Sequence, residues 1–217
     1  MQHRKNNKKT GFTLIELMVS ISIFSVVMLI VIGALLMLND ANKKAQAMRA
    51  IVDNLNFATE DMTRNIRTGR DFKCGLSVAN GRVNTAARDC QRSDVETGIS
   101  TLGFTGISTD ALTQTCYVYS FRQKTDTLPG SISYGSKDID SGRDCVEYFS
   151  SIQLSELVSP EVEVAGLQFY VFNETSSGPD QQPIVILALS GDINVEQYKF
   201  KTPFNIQTTV SQRGKAF

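Results

Sequence analysis

From Phe12 to Leu38 the chain runs for 27 residues with a single ionisable side chain, Glu16. About 20 apolar residues at a rise of about 1.5 Å each cross the hydrocarbon core of a bilayer, so the run predicts a membrane-spanning helix. A carboxylate inside such a span costs about 3 kcal/mol or more and marks a functional position. Glu16 therefore requires a partner that offsets its charge.

Charge around the span predicts its direction. Residues 1–11, MQHRKNNKKTG, hold Arg4, Lys5, Lys8 and Lys9 and no acid. Basic residues before the span place the N-terminus in the cytoplasm and the remainder outside it. A secretory signal would show a shorter apolar core followed by a small-residue cleavage site. Here the small residue, Gly11, precedes the run, so any processing is expected on the cytoplasmic side. The whole chain has net charge 0, and without the basic head it has 18 basic and 22 acidic side chains, a balance that points to no polyanionic partner.

Cys74, Cys90, Cys116 and Cys145 all follow the span, in the part expected to be exported, where disulfides persist. Four cysteines allow three pairings. A predicted hairpin lies between the first two, which favours Cys74 with Cys90 and Cys116 with Cys145. A zinc site is excluded by spacing, since there is no CxxC and the one histidine, His3, lies in the head.

After Leu38 the pattern becomes amphipathic. Ala41, Ala45, Met48, Ile51, Val52, Leu55, Ala58, Met62 and Ile66 recur at steps of three or four, which is one face of a helix. No proline interrupts Phe12 to Thr68, and Gly69 suits a C-terminal cap. One helix of about 57 residues is expected, its second half carrying an apolar stripe that needs a cover. Residues 70–217 supply it as strands. Asn80-Gly81 in LSVANGRVNT is a strong hairpin signal, and strands are expected at Leu102–Gly106, Cys116–Gln123, Asp144–Ser150, Val162–Asn173, Pro183–Leu189 and Phe204–Ser211. GLQFYVFNE and PIVILALSG should form an antiparallel pair across TSSGPDQQ. Residues 125–143 are the most loop-like stretch.

Lys8-Lys9-Thr10-Gly11 followed by Phe12-Thr13-Leu14-Ile15-Glu16-Leu17-Met18 resembles the processing site of type IV prepilins and type II secretion pseudopilins. The resemblance covers about the first thirty residues. It implies cleavage between Gly11 and Phe12 by the prepilin peptidase, a membrane aspartyl protease, and N-methylation of Phe12. It further implies that Glu16 neutralises the N-terminal amine of an adjacent subunit in the filament. Such a pair is physically sound, because a buried carboxylate is tolerated when paired and costly when its partner is removed. An incidental Glu snorkelling to the interface is the plainer alternative. Gly33 stands where such relatives often bear a proline; it costs helix stability but keeps its amide hydrogen.

The fold class expected is α+β, a pilin-like ladle. Residues 1–11 would be a cleaved cytoplasmic leader, 12–38 the transmembrane helix and filament core, 39–69 its amphipathic continuation, and 70–217 an exported β-rich domain. The resemblance implies a structural subunit, single-pass in the inner membrane before assembly. Its partners would be the prepilin peptidase, other pilin or pseudopilin subunits and the inner-membrane assembly platform. LNFATEDMTRNIRTG and FNIQTTVSQR are similar to minor subunits of the J or W type; a major pilin is the alternative within the family.

Other functions find weaker patterns. Arg64, Arg67, Arg70, Lys73, Arg82, Arg88 and Arg92 stand against only Asp71 and Asp89, whereas residues 93–217 hold 8 basic and 15 acidic side chains. A surface module binding DNA or another ligand is thus a second hypothesis, but without interleaved aromatics nucleic acid is not the expected partner. Asp138, Asp140 and Asp144, with Gly142, resemble a calcium loop. The twelfth position from Asp138 is Phe149 and not a glutamate, so a polar turn without metal is expected and no cofactor is required. Catalysis is not expected, since no GxSxG is present and the single histidine belongs to the head. Asn173-Glu174-Thr175 matches a glycosylation sequon and carries little weight alone.

Overall fold

The structure is a computed structural model that describes residues 11–79, 81–84, 87–107, 112–126, 128–173, 182–195 and 200–212. The basic residues of the leader, Asn80 of the hairpin signal and the Glu174-Thr175 part of the sequon lie outside the described residues. The organisation is α+β: a long N-terminal helix followed by antiparallel strands. The chain divides into two compact units, one ending at Ala47 and one beginning at Met48.

Helix α1 spans Leu14–Thr68. Its start is set by Thr13, whose carbonyl accepts from Leu17 N–H at 3.2 Å and whose Oγ1 accepts from Glu16 N–H at 3.4 Å. From Ile51 onward the periodic positions are covered: Ile51, Leu55, Ala58, Met62 and Ile66 are buried. The stripe is narrower than the sequence suggests, because Ala41 and Ala45 are exposed, Met48 is half-buried and Val52 is 39% exposed. Full burial of side chains such as Leu55 and Ile66 contributes about 1.5–3 kcal/mol each.

The larger sheet has six strands in the order β4-β1-β5-β6-β7-β8. They are β1 (Arg70–Cys74), β4 (Arg88–Asp89), β5 (Thr101–Ile107), β6 (Thr113–Arg122), β7 (Ser131–Asp140) and β8 (Ser155–Glu156). Between β1 and β4 a small ribbon pairs β2 (Ser77–Ala79) with β3 (Arg82–Asn84), and Gly81 in its turn has φ 71°. Short helix α2 (Arg92–Thr97) leads into β5. The second sheet is a meander of β9 (Val162–Phe172), β10 (Ile184–Val195) and β11 (Phe200–Ser211), with β10 in the middle. Reciprocal amide bonds between Ile99 and Phe169, at 2.9 and 2.8 Å, join β9 to the segment before β5.

The α1 stripe, from Ile51 to Ile66, packs with Phe72, Leu102, Phe104, Tyr119, Val164, Leu167, Phe169 and Leu187, so both sheets contribute to one core. The opposite face of the six-stranded sheet builds a second cluster from Leu76, Val83, Val118, Ile139, Phe149 and Ile152. Adjacent residues of β6 serve both: Tyr119 faces the helix and Val118 the second cluster.

Three expectations are corrected. Residues 125–143 are not mainly loop: Ser131–Asp140 is a strand that pairs β6 at ten positions. Its glycine is accommodated because Gly135 lies under Ile152 and Leu154, where a Cβ would meet their side chains at 2.5 and 2.8 Å. Asp144–Ser150 is not a strand but two 3₁₀ turns, Cys145–Glu147 and Phe149–Ser151. Asp144 accepts from Val146 N–H and starts the first turn, while Cys145 is tied to Cys116. Gly69 is not a left-handed cap. A Cβ there would lie 2.6 Å from Phe104 Cδ2, so the glycine lets that ring close against the helix end.

The disulfides are Cys74–Cys90 and Cys116–Cys145. The first closes β1 onto the residue after β4; the second joins β6 to the first 3₁₀ turn. With sequence separations of 16 and 29, loop closure of this size contributes about 3 kcal/mol or slightly more per bridge in the chain-entropy model.

Candidate functional site

Gly11 and Phe12 precede the first turn of α1 and are exposed, Phe12 at 81%. A Cβ built on Gly11 meets nothing within 4 Å. Among the described residues, no packing contact accounts for a glycine at this position.

Glu16 lies in the first turn of α1 and its side chain is exposed. Its amide donates to Thr13 Oγ1, so an acid and a hydroxyl cap share the positive end of the helix. Thr13 thus caps the helix that carries Glu16, a role not expected from the sequence. The Thr-x-x-Glu spacing from Thr13 to Glu16 is a capping-box signal and could have found it.

Around Glu16 the helix offers apolar surface with no cover: Leu14, Ile15, Met18, Ile23, Leu29 and Leu36 are each more than half exposed. Ser20, Ser22 and Ser25 return their hydroxyls to the carbonyls of Glu16, Met18 and Ile21 at 2.7–2.8 Å. Internal bonds of this kind let hydroxyls enter lipid, where no water can satisfy them. By length and composition this helix can cross a membrane. A Cβ on Gly33 would also meet nothing, and the helix runs through that position unbroken.

Comparison with known families gives one result. Residues 6–32 match the family model of the prokaryotic N-terminal methylation motif. The match takes in Gly11, Phe12, Thr13 and Glu16 and continues along the apolar helix almost to Gly33. It supports a prepilin of the pilin and pseudopilin class, and an α+β chain with a long apolar N-terminal helix agrees with that class. No curated protein and no solved structure matches the chain.

The remaining candidate residues are dispersed. Asp138 accepts from Thr115 Oγ1 at 2.6 Å, Asp140 lies 3.6 Å from Arg143 Nε, and Asp144 caps a 3₁₀ turn. Each carboxylate has its own neighbour, and no group of three or more metal-ligating side chains comes together among the described residues.

Within the basic stretch, Lys73 pairs with Asp89 at 2.5 Å and Arg70 approaches Asp71 at 3.8 Å. Arg88 holds Asp94 by two bonds of 2.6 and 2.8 Å, and Gln91 N–H adds a third at 2.7 Å. The Arg88 guanidinium, helped by that amide, holds the buried Asp94 carboxyl below the usual aspartate range against the opposing effect of burial. Part of the positive charge in this stretch is thus spent on fastening the Cys90 loop and α2.

Proposed function

We propose that this chain is a structural subunit of a type IV pilus or a type II secretion pseudopilus, made as a membrane-anchored prepilin. The observation that carries the proposal is the methylation-motif match over residues 6–32, which takes in the exposed Gly11 and Phe12 just before an uncovered apolar helix. Prepilin peptidase cuts that bond on the cytoplasmic side, and Phe12 becomes the methylated N-terminus. The helix then leaves the bilayer and packs against the helices of other pilin subunits on the assembly platform.

Glu16 has the chemistry this assembly needs. A carboxylate in hydrocarbon is offset by a cation held beside it, and cleavage creates such a cation at Phe12 of each subunit. Apolar contact between the extracted helices is non-directional, so an ion pair of this kind sets register where apolar contact alone does not. The sequence around Phe57 and the last strand favours a minor subunit of the J or W type over a major pilin. The two disulfides suit a domain exported to an oxidising compartment.

Mass spectrometry of the purified protein tests processing. From cells with active prepilin peptidase the mature chain should begin at Phe12 with one added methyl group. A chain that retains Met1 to Gly11 in such cells contradicts the proposal.

A further inference from the structure

β11 is an edge strand, bonded on one side to β10 and on the other to no strand among the described residues. Its two halves differ. The first contains Pro203 and Lys201, the latter 3.2 Å from Asp192, both common devices for blunting an edge. From Asn205 to Ser211 there is no proline, lysine or register shift.

The register shows which groups the open half presents. Gln212 N–H donates to Pro183 O at 3.0 Å, which fixes that opposed pair as a hydrogen-bonded one. Antiparallel pairs alternate, so Val210 and Thr208 turn their backbone groups to β10 while Ser211 and Thr209 turn theirs to the free edge. Pro203 falls on the same outward-facing set as Thr209, as a proline within a strand must if its partner strand is to keep its bonds.

That open half borders a cleft of about 770 Å³. Consecutive residues Thr208, Thr209, Val210 and Ser211 form one wall, which means the cleft follows the strand's backbone and not one face of its side chains. The other wall is the end of α1: Glu60, Thr63, Arg64, Arg67 and Thr68. Arg64 and Arg67 are exposed and have no ion-pair partner among the described residues. Glu60 is the one acid among the described lining residues, against two arginines, so this wall is net positive.

We infer that this cleft takes an extended, acidic segment of another polypeptide, which adds as a fourth strand beside β11. Backbone bonds to Thr209 and Ser211 supply affinity, and carboxylates meeting Arg64 and Arg67 supply selectivity. An added strand lies about 4.8 Å from its neighbour, and four residues of it span about 13 Å.

The test uses the full chain in detergent micelles and a fluorescent, end-blocked octapeptide of alternating threonine and glutamate, followed by anisotropy. Saturable binding is expected. Thr209→Pro, which removes one edge donor at a register position where the strand already bears proline, should weaken it about tenfold or more, equivalent to about 1.4 kcal/mol or more. Thr209→Ala should leave it within about twofold, and Arg64→Gln with Arg67→Gln should weaken it about fivefold or more. A peptide N-methylated at alternate amides, and a peptide with lysine in place of glutamate, should not bind. If Thr209→Pro does not fold, the N-methylated peptide decides the matter on the unaltered protein. The inference is overturned by equal binding of the N-methylated or lysine peptides, by no saturable binding of the acidic one, or by exchange-protected Thr209 and Ser211 amides in the free protein.

Discussion

Tyr119 on β6 donates its phenolic hydrogen to Asp61 Oδ2 on α1 at 2.7 Å, and its oxygen accepts from Asn65 Nδ2 at 2.7 Å. The two helix residues are one turn apart, and Asn65 also reaches Asp61 at 3.3 Å. Tyr119 is fully buried, so these bonds fix where along the sheet the helix sits. The apolar stripe alone would tolerate small slips along the helix axis; a directional polar contact does not.

Removing the hydroxyl with Tyr119→Phe should destabilise the domain by about 1–3 kcal/mol, because it leaves Asp61 and Asn65 partly buried without it. Denaturant titration of the chain in detergent measures this. Burial, together with the Asp61 contact and against the Asn65 bond, pushes the phenol above the ordinary tyrosine value of 10.0. The folded state therefore holds the proton that the unfolded state releases. The contribution of Tyr119 should be constant up to about pH 10 and decline above it, and Tyr119→Phe should remove that decline.

The two glycines of α1 and its end should respond in opposite ways. Gly69→Ala drives a methyl into Phe104 and against the Ile66 carbonyl, at 2.6 and 3.2 Å, and should cost about 1–3 kcal/mol. Gly33→Ala meets nothing in the chain and should stabilise the isolated helix by up to about 1 kcal/mol. Thermal unfolding of the two variants side by side checks the contrast.

Asp94 gives the acid side of the stability profile. Its folded value is depressed below the ordinary 3.8, first by the Arg88 bonds. Stability from this pair is therefore complete above about pH 4 and is lost as pH falls through the lower, folded value. Asp94→Asn should lower stability at neutral pH and flatten the dependence below pH 4, as read by denaturation midpoints across an acid series.

Helical period made α1 legible, because its apolar residues recur over several turns without proline. The β9–β10 pair was legible for a similar reason, since its strands alternate buried Val164, Leu167, Phe169, Val185, Leu187 and Leu189 with less buried positions. β7 was not legible. Its only strongly apolar residues, Ile132 and Ile139, are too far apart to mark a strand, and its Gly135 is explained only by what packs over it. Asp144–Ser150 has a strand-like composition that the Asp144 cap and the Cys116 bridge override. Asp61 and Tyr119 are 58 residues apart, so no local pattern could join them. The methylation motif belongs to another category. It is a contiguous run of residues, so its signal lies in the sequence itself and the fold of the second unit adds nothing to it.

The central claim is that Glu16 is tolerated in an apolar helix because a neighbouring subunit's new N-terminus lies beside it. A reconstruction of the assembled filament measures that separation directly. The Glu16 carboxylate should lie within about 4 Å of the methylated amine of Phe12 on an adjacent subunit. A carboxylate facing solvent or lipid, with every such amine well beyond that reach, contradicts the account.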